Sequence, residues 1–167
     1  MLGVIRSIRA MIRYTISIAV LILGFSVFAS DTSEENFIDI GMLEANVLST
    51  YGSPANIIQY PDDEEYGMGK TKLITYEGVK LDLRLGDQGY YIWRLRILGS
   101  PWAYRNKKLS VGVTTEELRA ILGIPLSTKI DGATEFYYYH PYSFDGWATI
   151  KIENGVVIEI LATEDWT

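Results

Sequence analysis

The chain of 167 residues contains no cysteine. Disulfides, thiol nucleophiles, cysteine-based zinc sites and a lipidated N-terminal cysteine are therefore excluded. Histidine occurs once, at His140, so no set of imidazoles can gather round a metal. Basic residues are few: 15 Lys and Arg stand against 21 Asp and Glu, a formal net charge of −6. Such a balance makes a poor partner for nucleic acid or an anionic lipid surface. No apolar run is long. The longest, Tyr14 to Phe28, is uncharged and has 15 residues, short of the roughly 20 that span a bilayer.

That run has its own grammar. Arg6, Arg9 and Arg13 precede it with no acid among them, and Val27-Phe28-Ala29 closes it. The acidic, polar stretch Asp31-Thr32-Ser33-Glu34-Glu35 follows at once. A positive start, a short apolar centre and small residues at the end are the pattern of an export signal. Residues 1–29 are therefore expected to be a signal peptide, the alternative being an uncleaved N-terminal anchor. Its removal would leave 138 residues, with 12 basic groups against 21 acids and a net charge of −9. That length suits one domain or two very small ones, and no stable membrane insertion is expected after cleavage.

One pattern occurs twice. "IGMLEANVLSTYGSP" begins at Ile40 and "VGVTTEELRAILGIP" at Val111. Gly41 and Gly52 are 11 positions apart, as are Gly112 and Gly123, and Pro54 and Pro125 each follow two residues later. In the second copy Thr114 and Glu117 stand at capping-box spacing. Leu118, Ile121 and Leu122 share a helical face, and Gly123 with Pro125 marks the stop. The first copy keeps an apolar face in Leu43, Val47, Leu48 and Tyr51, and the same stop, but lacks the capping box. Strand-like segments follow each helix. "TKLITY", "VKLDLRL" and "YYIWRLRIL" follow the first; "TEFYYYH", "WATIKI" and "VVIEILAT" follow the second. Turn signals such as Asn154-Gly155 separate them. "NIIQY" (56–60) reads as a further short strand. Leu81, Leu83 and Leu85 alternate with Lys80, Asp82 and Arg84, and Ala148, Ile150 and Ile152 with Trp147, Thr149 and Lys151.

The expected architecture is α+β: two tandem units, 37–98 and 111–163, each a helix on an antiparallel meander of three to four strands. Residues 99–110 are the linker. In each unit the helix covers one sheet face and the other looks outward. A unit of about 60 residues is marginal alone, so the two copies are expected to pack together, with their sheets side by side.

The doubled motif, carried by Gly41, Gly52, Pro54, Gly112, Val113, Thr114, Glu117, Leu118, Gly123, Pro125, Asn154, Gly155 and Val156, resembles the repeat of the β-lactamase-inhibitory-protein family. It is also similar to the small outer-membrane assembly lipoproteins of the SmpA/OmlA type. The likeness covers about 37–98 and 109–163. Proteins of the first kind usually carry disulfides, and those of the second a lipidated cysteine and a single copy; this chain has no cysteine and two copies. The resemblance implies a non-enzymatic module that works outside the cytoplasm through its surface, with no cofactor.

Candidate contact residues cluster in "YYYHPYSFDGW" (137–147). Phe136, Tyr138 and His140 alternate with Tyr137, Tyr139 and Pro141, so both faces of this strand carry rings. Rings on a free face would serve binding, because Tyr and Trp dominate contact hot spots; rings under the helix would be core. Tyr137, Tyr139, Tyr142 and Trp147 are the expected binding residues. Arg84, Arg94 and Arg96, on the outward face of the first sheet, form a second patch, unless ion pairs with Asp82 absorb them. The expected partner is another exported or envelope protein. A glycan or peptidoglycan stacked on the same rings is the first alternative and an enzyme the second. His140 could serve as a general base or metal ligand, with Asp145 five residues on to hold it, but no nucleophile constellation accompanies it, and strand capping before Pro141 accounts for it. The consecutive acids Asp62, Asp63, Glu64 and Glu65 lack the spacing of a calcium loop and read as a solvated loop. No metal site is expected.

Overall fold

The computed structural model describes residues 36–63, 69–104, 109–140 and 146–164, all within the compact unit Ser33–Thr167. The expected signal segment 1–29 lies outside the described residues, as do Glu64, Glu65, Arg105, Lys107, Lys108, Pro141, Tyr142 and Asp145.

Strands dominate. Eight of them make one antiparallel sheet: β2 (Asn56–Asp63), β3 (Gly69–Tyr76), β4 (Val79–Gly86), β5 (Gly89–Ile97), β8 (Ser127–Asp131), β9 (Thr134–Tyr139), β10 (Gly146–Glu153) and β11 (Val156–Glu164). Their order is β2-β3-β4-β5-β11-β10-β9-β8. Three short strands, β1 (Asn36–Ile38), β6 (Trp102–Tyr104) and β7 (Leu109–Ser110), form a second sheet. Two eight-residue helices complete the described residues: α1 (Glu44–Tyr51) and α2 (Thr115–Leu122).

This corrects the expected fold class. The chain is mainly β, not two α+β helix-on-meander units. The reason lies at the centre of the large sheet, where β5 and β11 pair antiparallel, Ile97 opposite Ile160 and Leu95 opposite Ala162. All four side chains are fully buried. Left as edges, these strands would bury unpaired N–H and C=O groups, each a substantial penalty; pairing removes both edges and makes one sheet and one core. Residues 99–110 are not a bare linker either. They contain β6 and β7, whose Trp102, Tyr104 and Leu109 belong to the core cluster.

One face of the large sheet is covered. Ile74, Leu81, Leu83, Ile92, Leu95, Ile97, Ala148, Ile150, Ile152, Val157, Ile160 and Ala162 point into the core. Val47 of α1, Leu118 of α2 and Ile38, Trp102, Tyr104 and Leu109 of the small sheet close over them. Each large apolar side chain fully buried there contributes about 1.5–3 kcal/mol. The Trp102 ring meets Tyr51 edge-on at 4.9 Å, and its Nε1–H donates to the Glu77 carbonyl at 2.7 Å.

The helices are tied to the sheet in the same manner. Gly41 N–H donates to Ile92 O and Ile92 N–H to Met42 O; Gly112 N–H donates to Val157 O and Val157 N–H to Val113 O. Beside these ties each central strand carries an extra residue, Trp93 in β5 and Ile158 in β11, where the register against β4 and β10 shifts. Helix ends follow local chemistry. Thr114 and Glu117 form a complete capping box, whereas α1 begins at Leu43 with no side-chain cap. Its first turn is held instead by Glu44, which pairs with Lys72 at 2.8 Å. Gly52 and Gly123 end the helices at φ 75°, ψ −155° and φ 85°, ψ −154°. That region is open essentially to glycine alone.

Within the capping box the Glu117 carboxylate accepts from Thr114 N–H at 2.8 Å and from its hydroxyl at 2.9 Å. The backbone bond first, then the hydroxyl, holds this carboxyl below the usual glutamate value. A lowered folded value stabilises the fold above the ordinary glutamate range, and the contribution fades as pH falls through it. Glu117→Gln should therefore melt at lower temperature than the parent at pH 7, and the gap should close on acidification below pH 4.5. Melting curves followed by circular dichroism across that window measure both.

Candidate functional site

The opposite face of the large sheet carries no helix or strand of the described residues. Its side chains follow from the register. Across β9 and β10, Tyr137 faces Ile150 and Tyr139 faces Ala148, while Tyr138 faces Thr149 and Phe136 faces Lys151. Ile150 and Ala148 are core, so Tyr137 and Tyr139 are core too, with only 4% and 5% of their surface exposed. The Tyr137 hydroxyl accepts from Arg119 of α2 at 3.1 Å. The Tyr139 hydroxyl points at the Gly123 carbonyl, 3.5 Å away. Neither can touch an outside partner, which corrects their expected placement in a binding surface.

Trp147 is on the outer face as expected, 46% exposed. The neighbour that shares this face is His140, whose ring meets Trp147 edge-on with centroids 5.3 Å apart. Tyr138 and Phe136 continue the row, both half-buried. The alternation in β9 was legible, but which row accompanies Trp147 depends on the parity of the connection 141–145, and a one-residue slip exchanges the rows. Tyr142 lies outside the described residues. The structure thus replaces an expected Tyr137, Tyr139, Trp147 grouping by Phe136, Tyr138, His140 and Trp147.

Arg84, Arg94 and Arg96 also face outward, and all three are paired. Arg84 meets Glu164 at 2.9 Å, Arg94 meets Asp82 at 2.9 Å, and Arg96 meets Glu159 at 3.1 Å. Arg84 also donates to the Tyr91 hydroxyl, and the Arg94 guanidinium lies 4.7 Å from the Trp93 ring. They form a neutralised stripe over β4, β5 and β11 rather than a cationic patch. Pairs this exposed contribute only about 0–1 kcal/mol each, so the stripe orders the middle of the face more than it stabilises the fold. Beyond it, on β2 and β3, Ile58, Leu73 and Tyr60 make a smaller apolar group on the same face, with Ile58 and Tyr60 exposed. Of the acidic run, Asp62 and Asp63 end β2. Among the described residues no group of three His, Asp or Glu side chains is placed to hold a metal, and no helix is long and apolar enough to cross a membrane.

No protein-family profile and no curated protein matches the sequence. Two solved structures align with part of this chain. An extracellular protein containing an SCP domain from Bacillus anthracis aligns with a TM-score of 0.49 and 12% identity, over 79% of this chain and 47% of its own. This chain thus spans about half the length of that protein. A DUF4309 family protein from Bacillus subtilis aligns with a TM-score of 0.39 and 14% identity, over 74% of this chain and 78% of its own. Likeness at this level carries no argument about what this chain does.

Two outcomes follow from the faces. Tyr137→Ala should cost about 3–5 kcal/mol in chemical denaturation, as large-to-small changes in a core do. Trp147→Ala should cost about 1 kcal/mol or less, as surface changes do. Burial, then the neighbouring Tyr137, pushes the Tyr139 phenol up to about 12, against a smaller opposing effect of Arg119. A raised folded value gives stability that is complete below pH 10, the ordinary tyrosine value, and lost as pH rises toward 12. Stability should fall across that interval, and less steeply in Tyr139→Phe; the ultraviolet tyrosinate band and the circular dichroism melt, read together, check it.

Proposed function

We propose that this chain is an exported, non-enzymatic binding module that engages another protein of the cell envelope or its surroundings through the outer face of the large sheet. The observation that carries the reading is the row Phe136, Tyr138, His140 and Trp147 on two adjacent strands, on a face that no helix or strand of the described residues covers. The two other tryptophans among the described residues, Trp93 and Trp102, are 6% and 3% exposed. Trp147 is left at 46% although the fold has a core able to take such rings. An exposed ring forgoes about 1.5–3 kcal/mol of burial, and Tyr and Trp in such a position are what protein contacts use as anchors. The ion-paired stripe beside the row gives it a polar rim. Export is supported by the Arg6-to-Ala29 pattern, and the acidic balance disfavours nucleic acid.

A glycan is the second reading, favoured by the exposure of Trp147, 46% open to solvent, because an exposed indole stacks on sugar rings. One experiment separates the two. The chain and a Tyr138→Ala/Trp147→Ala variant are offered a detergent extract of envelope proteins and, separately, insoluble cell wall. The expected result is a discrete protein retained by the parent, lost by the variant and unaffected by free sugars, with both proteins giving the same melt. Retention on the wall that sugars compete away supports the glycan. A variant that keeps every interaction of the parent overturns the choice of face.

A further inference from the structure

Among the described residues the large sheet ends in two unpaired edges, β2 and β8, and they are not alike. At β2 the strand contains Pro61, its register against β3 breaks between Tyr60 and Asp63, and it finishes in Asp62 and Asp63. Proline, an irregularity and charge are the usual devices that stop a sheet edge from pairing. At β8 there is neither proline nor irregularity, and its two charges, Lys129 and Asp131, are of opposite sign and so can pair across copies. Ser127-Thr128-Lys129-Ile130-Asp131 is regularly paired with β9 on one side and exposed at every residue. In it and just before it stand the most exposed large apolar side chains of the described residues: Ile130 at 72% within β8, and Ile124 at 89% and Leu126 at 65% ahead of it.

Backbone parity limits what this edge can accept. Asp131 and Thr134 close a two-residue turn at Gly132-Ala133, so they form a hydrogen-bonded pair, and the bonding alternates from there. The N–H and C=O groups of Asp131, Lys129 and Ser127 are thereby turned toward β9, and those of Ile130 and Thr128 toward the open side. Leu126 N–H is also turned inward, to the Tyr138 carbonyl at 2.8 Å.

A second copy of β8 laid antiparallel on the first has three simple two-fold registers. One centred on Thr128 needs the Leu126 N–H that Tyr138 already holds. One centred on Lys129 sets two ammonium groups face to face. One centred on Ile130 meets neither obstacle: Ile130 exchanges both backbone bonds with its own copy, the two isoleucines pack together, and Thr128 stands opposite the turn residue Gly132 of the other chain. Lys129 of each chain then stands directly opposite Asp131 of the other, twice, at the closely spaced non-hydrogen-bonded positions.

We infer that the chain associates with a second copy of itself through β8, in the Ile130-centred antiparallel register, extending the sheet from eight strands to sixteen. The contact is short and belongs among small, reversible interfaces. It is isologous, so it closes at two chains and leaves the β2 edges at the far ends. It sets the two Phe136–Tyr138 rows on the same side of one continuous sheet, three strand spacings or about 14 Å apart. The inference does not depend on the proposed binding reading, because it rests on β8 alone.

Sedimentation equilibrium on the full-length chain, at concentrations up to about 1 mM, where small interfaces still assemble, should show mass rising from one chain to a plateau at two. Lys129→Asp and Asp131→Lys, each alone, place like charges at both cross-chain pairs and should weaken association about tenfold or more. Mixing the two variants in equal amounts should restore a dimer holding one chain of each, which native mass spectrometry resolves because the chains differ in mass. Equal far-ultraviolet circular dichroism and melting of all three proteins guards against misfolding. Ile130→Pro removes the N–H directed at the partner and leaves the bonds to β9; it should abolish the dimer. A parent that stays monomeric throughout, a mass that grows past two without a plateau, single variants that dimerise as well as the parent, or a mixture that stays monomeric overturns the inference.

Discussion

The structure depends on one strand pairing. β5 and β11 lie at the middle of the large sheet and are the last strands of their respective four-stranded meanders. Their antiparallel contact sets Ile97 on Ile160 and Leu95 on Ala162 in the buried layer, and Arg96 on Leu161 and Arg94 on Thr163 in the outer one. Without it, two small sheets would each expose an edge whose side chains belong in a core. With it, a single layer of apolar side chains runs under both helices, and the small sheet of β1, β6 and β7 fills the remainder. The core therefore follows from a backbone ladder as much as from side-chain volume.

That ladder also decides which rings are structural. Register is inherited strand by strand: from the β5–β11 centre outward through β10 to β9, every second residue is sent to the helix side. Tyr137 and Tyr139 arrive there and are locked by Arg119 and by the end of α2 at Gly123. Tyr138 and His140 arrive on the other side with Trp147. The arginines of the central strands find acids on neighbouring strands, Asp82, Glu159 and Glu164, so the middle of the outer face is settled internally and the aromatic end is not.

Much of the local structure was legible in the residues. The capping box at Thr114 and Glu117, the glycine stops at Gly52 and Gly123, the alternation of Leu81 and Leu83 and the turn at Asn154-Gly155 all rest on short-range physics, and each element formed. What was not legible was non-local. Nothing near Ile97 or Ile160 in the chain announces that they meet. Trp102, Tyr104 and Leu109 sit on strands of two or three residues, too short for any periodicity to show, in a stretch that composition marks as a connection. β8 has no sequence signature of its own, because "STKID" has a single apolar residue and draws its strand character from β9. The tyrosine rows were exchanged because the parity of one loop is invisible from either side of it.

Trp93 and Ile158 are extra residues in the two central strands, placed alike, and a bulge sharpens the right-handed coiling of a sheet. Even at the ordinary rotation of about 20–25° per neighbour, the five steps from β2 to β10 accumulate roughly 100–125°. The apolar group around Ile58 and Tyr60 and the rings around Trp147 are then presented along widely divergent directions, like opposite ends of a propeller blade. A planar substrate such as a crystalline fibre surface can lie against one of them at a time. Whatever touches both must itself be curved.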